Sequence, residues 1–395
     1  MNLIVLIIFK YLEIKVWGMV IYLDNSSTTP LNGEALEEML PFLKEKFGNP
    51  SNMHQLGLEA RKALDNARQR VSQLINSSPS ELIFTSGGVE ANNLAVKGSA
   101  YANMHRGRHI IISAVEHLSI QHPVMSLQRD GFQVTRIRVD SYGRVDPEAL
   151  KNAIRDDTVL ISVQHANHEV GTLQPIAEIA EIAEDRDIVF HVDALASTGN
   201  YPIDVEKLGI SLLSLTAHHF YGPKGAGALF MARGTRLISL IEGGIQESGM
   251  RAGTENVPAI AGLGKAAEIS ALDMNKNLEK YIKLRTNFIL MLKKALPEIK
   301  INGHPEEVLP GYVHVCIPGV EGEVVASKLS EKGIIVSSGS PCISRASKAS
   351  HVLEAMRVPA SLSKGALLFA FGRDTSKEDI RVVAEALEEI VAKTK

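Results

Sequence analysis

The stretch TVLISVQHANHEVGTLQPIAEIAEIAEDRDIVFHVDAL, residues 158–195, contains the pattern that decides the fold. It begins and ends with short apolar runs rich in β-branched residues, which are typical of buried strands. Between them, IAEIAEIAEDR repeats apolar residues at helical spacing. A strand, a helix and a second strand in this order predict a βαβ unit, because parallel strands require a crossover connection.

The same alternation continues on both sides of this unit. HIIISAVEH and FQVTRIRVD are strand-like, whereas LEARKALDNARQRVSQLI and VEANNLAVKGSAYA have helical spacing. This favours an α/β domain with a mostly parallel sheet. After about residue 272 the pattern changes to a long charged helix, shorter strands and a final helix, which predicts a smaller α+β domain. The predicted units are a non-core N-terminal extension (1–18), the N-terminal part of the small domain (19–33), a large domain (34–272) and a small C-terminal domain (273–395).

Composition excludes several classes of function. The chain has 395 residues, of which 45% are hydrophobic and 22% charged, and a formal net charge of −3, which is typical of a water-soluble globular protein. This balance lacks the basic excess that attracts nucleic acid or anionic membranes, so we expect neither as a partner. The apolar N-terminal run MNLIVLIIF is too short to span a bilayer. The two cysteines, Cys316 and Cys342, exclude a disulfide framework and favour the cytoplasm.

Polar residues follow several predicted strands, at the positions where ligands bind in parallel sheets. Gly87-Gly88 opens a helix and offers backbone N–H groups to a phosphate. Asp193 ends a buried strand and needs a cation, such as the protonated pyridine nitrogen of pyridoxal phosphate (PLP), or else backbone N–H partners in a purely structural role. His117 suits a ring stacked on that pyridine, and Thr216 suits the phosphate.

The motifs YLDNSSTTP, FTSGGVEANNLA, HANHEVGTLQPI, HVDALASTG, AHHFYGPKGAGAL, MRAGTEN and SSGSPCIS lie in this order along the chain. In this set of motifs the chain resembles the cysteine desulfurases, the NifS/IscS group of class-V PLP-dependent aminotransferases. The resemblance implies PLP-dependent transferase fold type I, with a large mixed-sheet α/β domain and a smaller α+β domain. It also implies a homodimer, PLP as cofactor, L-cysteine as substrate and sulfur delivery to iron–sulfur cluster assembly through an IscU-like scaffold protein.

The resemblance assigns roles to individual residues. His117 would stack on the pyridine, Asp193 would pair with its nitrogen, and Cys342 would carry sulfur as a persulfide. The phosphate would lie among a further set of residues: Gly88, Val89, Thr216, His218 and Thr254 of the partner subunit.

Several positions depart from the family pattern. His219 stands where the family has the lysine that forms an imine with PLP; imidazole forms no stable imine, although it could transfer protons. Val89 replaces a threonine that binds the phosphate, and His168 and Ala196 replace an asparagine and a glutamine that contact the phenolic oxygen. Leu368 aligns with the arginine that grips the substrate carboxylate. Losing several such contacts predicts weaker binding of PLP or cysteine.

These departures leave two functions open. The first is a cysteine desulfurase-like sulfur transferase with its persulfide on Cys342. The second is a PLP-poor homologue in which Cys342 accepts sulfide-derived sulfur, or is a metal ligand that holds a nascent [2Fe–2S] cluster together with a scaffold protein. A metal site made of histidines is a weaker alternative, because the spacing of His165 and His168 on a strand directs the two side chains to opposite faces.

Overall fold

The computed structural model describes residues 20–338 and 350–394. Its strands are β1 (Ile21–Tyr22), β2 (Leu82–Thr85), β3 (His109–Ser113), β4 (Gln133–Ile137), β5 (Thr158–Ser162), β6 (Val189–Asp193), β7 (Leu212–Thr216), β8 (Gly227–Met231), β9 (Lys300–Asn302), β10 (Tyr312–Cys316), β11 (Ile334–Ile335) and β12 (Ala366–Ala370). Its α-helices are α1 (Gly33–Lys44), α2 (Gln55–Ile75), α3 (Gly88–Asn93), α4 (Ser99–Asn103), α5 (Leu118–Arg129), α6 (Pro147–Asn152), α7 (Ile176–Glu184), α8 (Val205–Leu208), α9 (Val257–Ala295), α10 (Gly322–Glu331), α11 (His351–Ala355), α12 (Ala360–Ser363) and α13 (Lys377–Thr394). A π-helical turn, Leu94–Gly98, joins α3 to α4.

The large domain is built on a seven-stranded sheet with the order β2-β8-β7-β6-β5-β3-β4. β8 runs antiparallel to both of its neighbours, and the other adjacent strands are parallel. β5, α7 and β6 form the βαβ unit expected from residues 158–195, since β5 and β6 pair in parallel. The predicted fold class, a mixed-sheet α/β domain with a smaller α+β domain, is confirmed.

Strands β3, β5 and β7 are buried along their whole length because both faces of the sheet are covered. Ile111 and Ile161 pack into the main core on one face, whereas Ile110, Ile112 and Leu160 pack into a separate cluster. Successive side chains of a strand point to opposite faces, so a strand buried on both sides has no polar alternation.

The smaller domain contains the antiparallel sheet β9-β10-β12 and the parallel pair of β1 and β11. Its core includes Phe288, Val313, Phe369 and Leu387. Helix α9 belongs to both domains: Leu263 packs in the main core, and Phe288, on the same helix, packs in the second. The predicted boundary at residues 272/273 falls inside this helix, and the exact division into domains stays a prediction.

Within residues 20–338 and 350–394, no helix is long and apolar enough to cross a membrane. Cys316 is buried in β10, and burial raises the pKa of its thiol. This agrees with an unreactive core residue. Cys342 lies outside the described residues, as does the predicted extension at residues 1–18.

Candidate active site

A cavity of about 360 Å³ lies beyond the carboxyl ends of the parallel strands. The segments that follow β3, β5, β6 and β7 all contribute to it, and Leu368 of β12 closes it from the smaller domain. Five histidine side chains line it: His117, His168, His218, His219 and His351. Because the carboxyl ends of parallel strands share one edge, the fold brings together residues that are far apart in sequence.

Asp193, the last residue of β6, is the buried acid of the cavity. Its Oδ2 accepts a hydrogen bond from Asn92 Nδ2 at 2.8 Å, and its Oδ1 accepts one from the backbone N–H of Leu195 at 3.0 Å. Burial raises the pKa of Asp193, while these bonds and the neighbouring His117 lower it in part. The carboxylate is therefore oriented, and a cationic N–H donor in the cavity would be a favourable partner for it.

His117 precedes α5 and caps its first turn. Its Nδ1 accepts a hydrogen bond from the backbone N–H of Ser119 at 3.1 Å, so the neutral ring carries its proton on Nε2. The ring meets His168 edge-on, with 5.0 Å between the ring centroids. Burial lowers the pKa values of both histidines, and for His168 the neighbouring His117, His351 and His219 lower it further. The rings are thus neutral near pH 7.

His218 and His219 follow β7 and lie edge-on to each other, 4.4 Å between ring centroids. His219 Nδ1 lies 2.9 Å from the carbonyl oxygen of Leu195, which only accepts, so Nδ1 donates. Burial lowers the pKa of His219 to about 3. An imidazole with so low a pKa is a weak proton acceptor at neutral pH. A proton-transfer role for His219 stays a prediction.

The Gly87–Gly88 corner is occupied by protein. Gly87 has φ +148°, a conformation that side chains rarely adopt, and Gly88 begins α3. A Cβ built on Gly88 would lie 2.1 Å from Leu195 Cδ2, so the Leu195 side chain fills the space above the corner. Thr216 is fully buried and does not line the cavity; its Oγ1 is 3.4 Å from the carbonyl oxygen of Ala226.

The three remaining predicted phosphate contacts have different positions. Val89 lines the cavity and remains 59% exposed. Thr254 lies on an exposed stretch before α9 and does not line the cavity. His218 lines the cavity, and its Nδ1 is 3.2 Å from Thr28 Oγ1.

Two buried glutamates lie beside the histidines. Glu116 Oε1 accepts hydrogen bonds from Ser113 Oγ and the backbone N–H of Gln164, and burial raises its pKa to about 8. Glu169 Oε2 accepts a hydrogen bond from Ser350 Oγ at 2.5 Å, and burial raises its pKa to about 7. Both carboxyls therefore retain a proton to higher pH than ordinary glutamates do.

Comparison with known proteins identifies the family. Residues 21–383 match the family described as Aminotransferase class-V. The chain belongs to the class-V aminotransferases. Its relatives include the "Cysteine desulfurase IscS" of Dictyoglomus turgidum, 46% identical over 373 residues, which are 94% of this chain and 95% of that protein. The protein of the same name from Methanosarcina thermophila is 46% identical over 94% of this chain and 92% of its own length.

Solved structures agree with this assignment to the class-V aminotransferases. A "NifS-like protein" superimposes with a TM-score of 0.89 at 34% identity, covering 95% of this chain and all of the other. The resemblance inferred from the motifs is therefore confirmed. Membership of this family implies PLP as cofactor. The residues of the cavity can therefore be compared with the pyridine nitrogen, the aldehyde and the phosphate of that molecule.

The cavity fits PLP only in part. Asp193, held by Asn92, suits the pyridine nitrogen, and His117 lies on the cavity wall as the stacking role requires. No lysine or arginine of the described chain lines the cavity, so the aldehyde has no amine there. Leu195 packs against Gly88 at the corner predicted to hold the phosphate, and Leu368 lines the cavity at the position where the resemblance predicts a cation for the substrate carboxylate. The residues fit the ring but neither the aldehyde nor the phosphate.

Sequence reasoning missed several residues that shape the site: Asn92, Glu116, Glu169, Leu195 and His351. Asn92, Glu169 and Leu195 lie inside the motifs FTSGGVEANNLA, HANHEVGTLQPI and HVDALASTG, and this was the available signal. The structure brings His168, His219 and Ala196 to the same cavity. Within residues 20–338 and 350–394, no three histidine, cysteine or carboxylate side chains form a group that could hold a metal ion.

Proposed function

We propose that this protein is a sulfur transferase of the cysteine desulfurase type, which supplies iron–sulfur cluster assembly and carries sulfur as a persulfide on Cys342. The similarity of relatives named cysteine desulfurases, over 94% of the chain, supports the proposal. We propose L-cysteine as its substrate, a homodimer as its assembly, an IscU-like scaffold protein as its acceptor and the cytoplasm as its location.

One structural observation supports the proposed role of Cys342. The segment that contains it leaves the cavity wall at Ser337 and returns to it at His351. Ser350, which precedes His351, is held by its hydrogen bond to Glu169. The thiol is thus carried on a segment with both ends at the cavity, where a small sulfur donor would bind.

A second candidate function is favoured by the cavity itself. No lysine lines it within the described chain, and burial keeps His219 neutral. In this candidate the protein does not bind PLP productively. Cys342 instead receives sulfide-derived sulfur from another persulfide, in which the transferred atom is already at the sulfane oxidation level. Alternatively, Cys342 holds a [2Fe–2S] cluster together with cysteines of a scaffold protein.

Alanine release separates the two candidates. Purified protein is incubated with L-cysteine and a reductant, with and without added PLP, and alanine and sulfide are quantified against a Cys342→Ser control. Catalytic alanine that depends on Cys342 supports the desulfurase. The second candidate is supported if no alanine is released and one of two further results is obtained. Either Cys342 carries a persulfide after exposure to a sulfane donor, or the protein binds a cluster together with a scaffold protein. If the protein shows no alanine release, no persulfide on Cys342 and no cluster binding, both candidates are contradicted.

The His219→Lys variant then shows what limits turnover. A new visible absorption band with PLP, together with alanine release, means that the absence of this lysine alone prevents desulfurase turnover in the wild type. No band means that the changes around Leu195, His168 and Leu368 are sufficient by themselves.

A further inference from the structure

We propose that this cavity selects a nitrogen heterocycle that carries no phosphate group, and that Leu195 is the side chain that excludes the phosphate. The inference goes beyond the proposed function and takes from the family only the ligand class, a pyridine. It concerns which ligand the cavity accepts, and it is independent of sulfur transfer by Cys342.

Leu195 is held firmly over the corner where a phosphate would bind. Its backbone N–H donates to Asp193 Oδ1 at 3.0 Å, and its carbonyl oxygen accepts from His219 Nδ1 at 2.9 Å. Because the backbone is fixed on both sides, the side chain is directed onto Gly88, where a built Cβ would lie 2.1 Å from Cδ2 and 2.6 Å from Cγ. The Leu195 side chain thus takes up space beside Gly88 at the start of α3, where the phosphate is predicted to bind.

The Thr216 hydroxyl, expected to help hold a phosphate, lies beside Gly87, with its Oγ1 4.0 Å from a Cβ built there and 3.4 Å from the carbonyl oxygen of Ala226. Thr216 is fully buried and does not line the cavity. Val89, next to Gly88, has no hydroxyl to offer. The corner therefore presents an isobutyl group and a valine side chain, where a phosphate would require several donors.

The charges of the cavity disfavour a phosphate as well. A phosphate monoester carries a charge between about −1.5 and −2 near pH 7. The titratable groups that line the cavity are the five histidines, which burial keeps neutral, and the carboxyl groups of Asp193 and Glu169. Without a lysine or arginine on the wall of the described cavity, an anionic ester would stay unpaired, whereas a protonated heterocycle would be paired by Asp193.

Other residues of the cavity are suited to the ring. Asn92 orients Asp193 Oδ2, and the neutral rings of His117 and His168 supply aromatic surface. Ala196 and Leu368 add apolar wall. A flat heterocycle with one N–H donor satisfies these groups, and a charged tail adds nothing to the fit.

A matched pair of probes tests the inference: pyridoxine and pyridoxine 5′-phosphate, which differ only in the phosphate. Neither has an aldehyde, so lysines on the surface cannot capture them. Dissociation constants are measured by calorimetry for the wild type, Leu195→Ala and the control Leu118→Ala, which shortens another leucine of the same cavity. Thermal unfolding confirms that each variant is folded, and Leu195→Val serves if the alanine variant is not.

We expect the wild type to bind pyridoxine at least about tenfold more tightly than its phosphate ester. Leu195→Ala should reduce that preference by about tenfold through tighter binding of the ester, with a smaller change for Leu195→Val. Leu118→Ala should leave the preference unchanged. Preference of the wild type for the ester, an unchanged preference in Leu195→Ala, or no binding of either probe would overturn the inference.

Failure of this inference is distinguishable from failure of the proposed function. Ligand preference is measured without a sulfur donor, and Cys342→Ser should retain it. A protein that transfers sulfur and still prefers the ester refutes the role of Leu195 alone. A protein that prefers pyridoxine but forms no persulfide refutes the proposed function and leaves the role of Leu195 standing.

Discussion

Replacing Glu116 with glutamine should change how the stability of the protein depends on pH. Glu116 has no exposed surface, and its Oε2 has no hydrogen-bond partner in the described part of the chain. Burial raises its pKa from 4.5 to about 8. The folded protein therefore keeps a proton that the unfolded chain releases between these two values, so the free energy of unfolding falls as pH rises through this window.

The size of the effect follows from the two pKa values. Their separation corresponds to an upper limit of about 5 kcal/mol lost by pH 9, at 1.36 kcal/mol for each factor of ten in proton affinity. Glutamine does not titrate, and its carbonyl oxygen can still accept from Ser113 and Gln164. Its amide replaces the unpartnered oxygen at a cost of about 1–3 kcal/mol that does not vary with pH.

The assay is urea unfolding at pH 5, 7 and 9. Relative to the wild type, Glu116→Gln should gain stability as pH rises from 5, and the gain should level off above about pH 8. Glu178→Gln, the same change at an exposed position of α7, should follow the wild type. Parallel curves for the wild type and Glu116→Gln would refute the reasoning, because they would mean that Glu116 is already ionised in the folded protein at pH 5.

Two further predictions concern buried contacts. Glu247 is 2.6 Å from Arg68 and also accepts a hydrogen bond from the backbone N–H of Phe84. In urea unfolding at pH 7, Glu247→Ala should therefore lower the free energy of unfolding by about 3 kcal/mol, and Glu247→Gln by less. Equal losses in the two variants would show that the charge of Glu247 contributes nothing to stability. Ser350→Ala removes both the N-cap of α11 and the hydrogen bond to Glu169. It should lower the free energy of unfolding by about 1–2 kcal/mol and speed amide hydrogen exchange in α11. Unchanged exchange would contradict a role of Ser350 in stabilising α11.

The sequence predicted the fold well because its signals are local. The βαβ unit at residues 158–195 needed only strand-like runs, helical spacing and their order. The helix that joins the two cores was identified as long and charged, but its sharing between domains depends on packing at both ends, which spacing does not encode.

The site was predictable where strand ends carry unusual residues, such as Asp193 and His117. Leu195 was missed because an apolar residue after a strand is ordinary, and its effect exists only through contact with Gly88 on another element. Glu169 was missed for a similar reason: its partner Ser350 is remote in sequence, and only the fold makes them neighbours. Such pairings are decided by tertiary structure rather than by local pattern.

Helix α9, 39 residues and roughly 58 Å long, is one uninterrupted rod anchored in both cores. Rotation of one domain relative to the other at this connection must bend or break the continuous backbone hydrogen bonds of α9. The reason is that Leu263 and Phe288 lie on the same helix, with no linker between them. The domains should therefore melt in a single cooperative transition. A ligand held in the cavity between them should raise the melting temperature of the whole molecule, including the terminal helix that packs beside the rod.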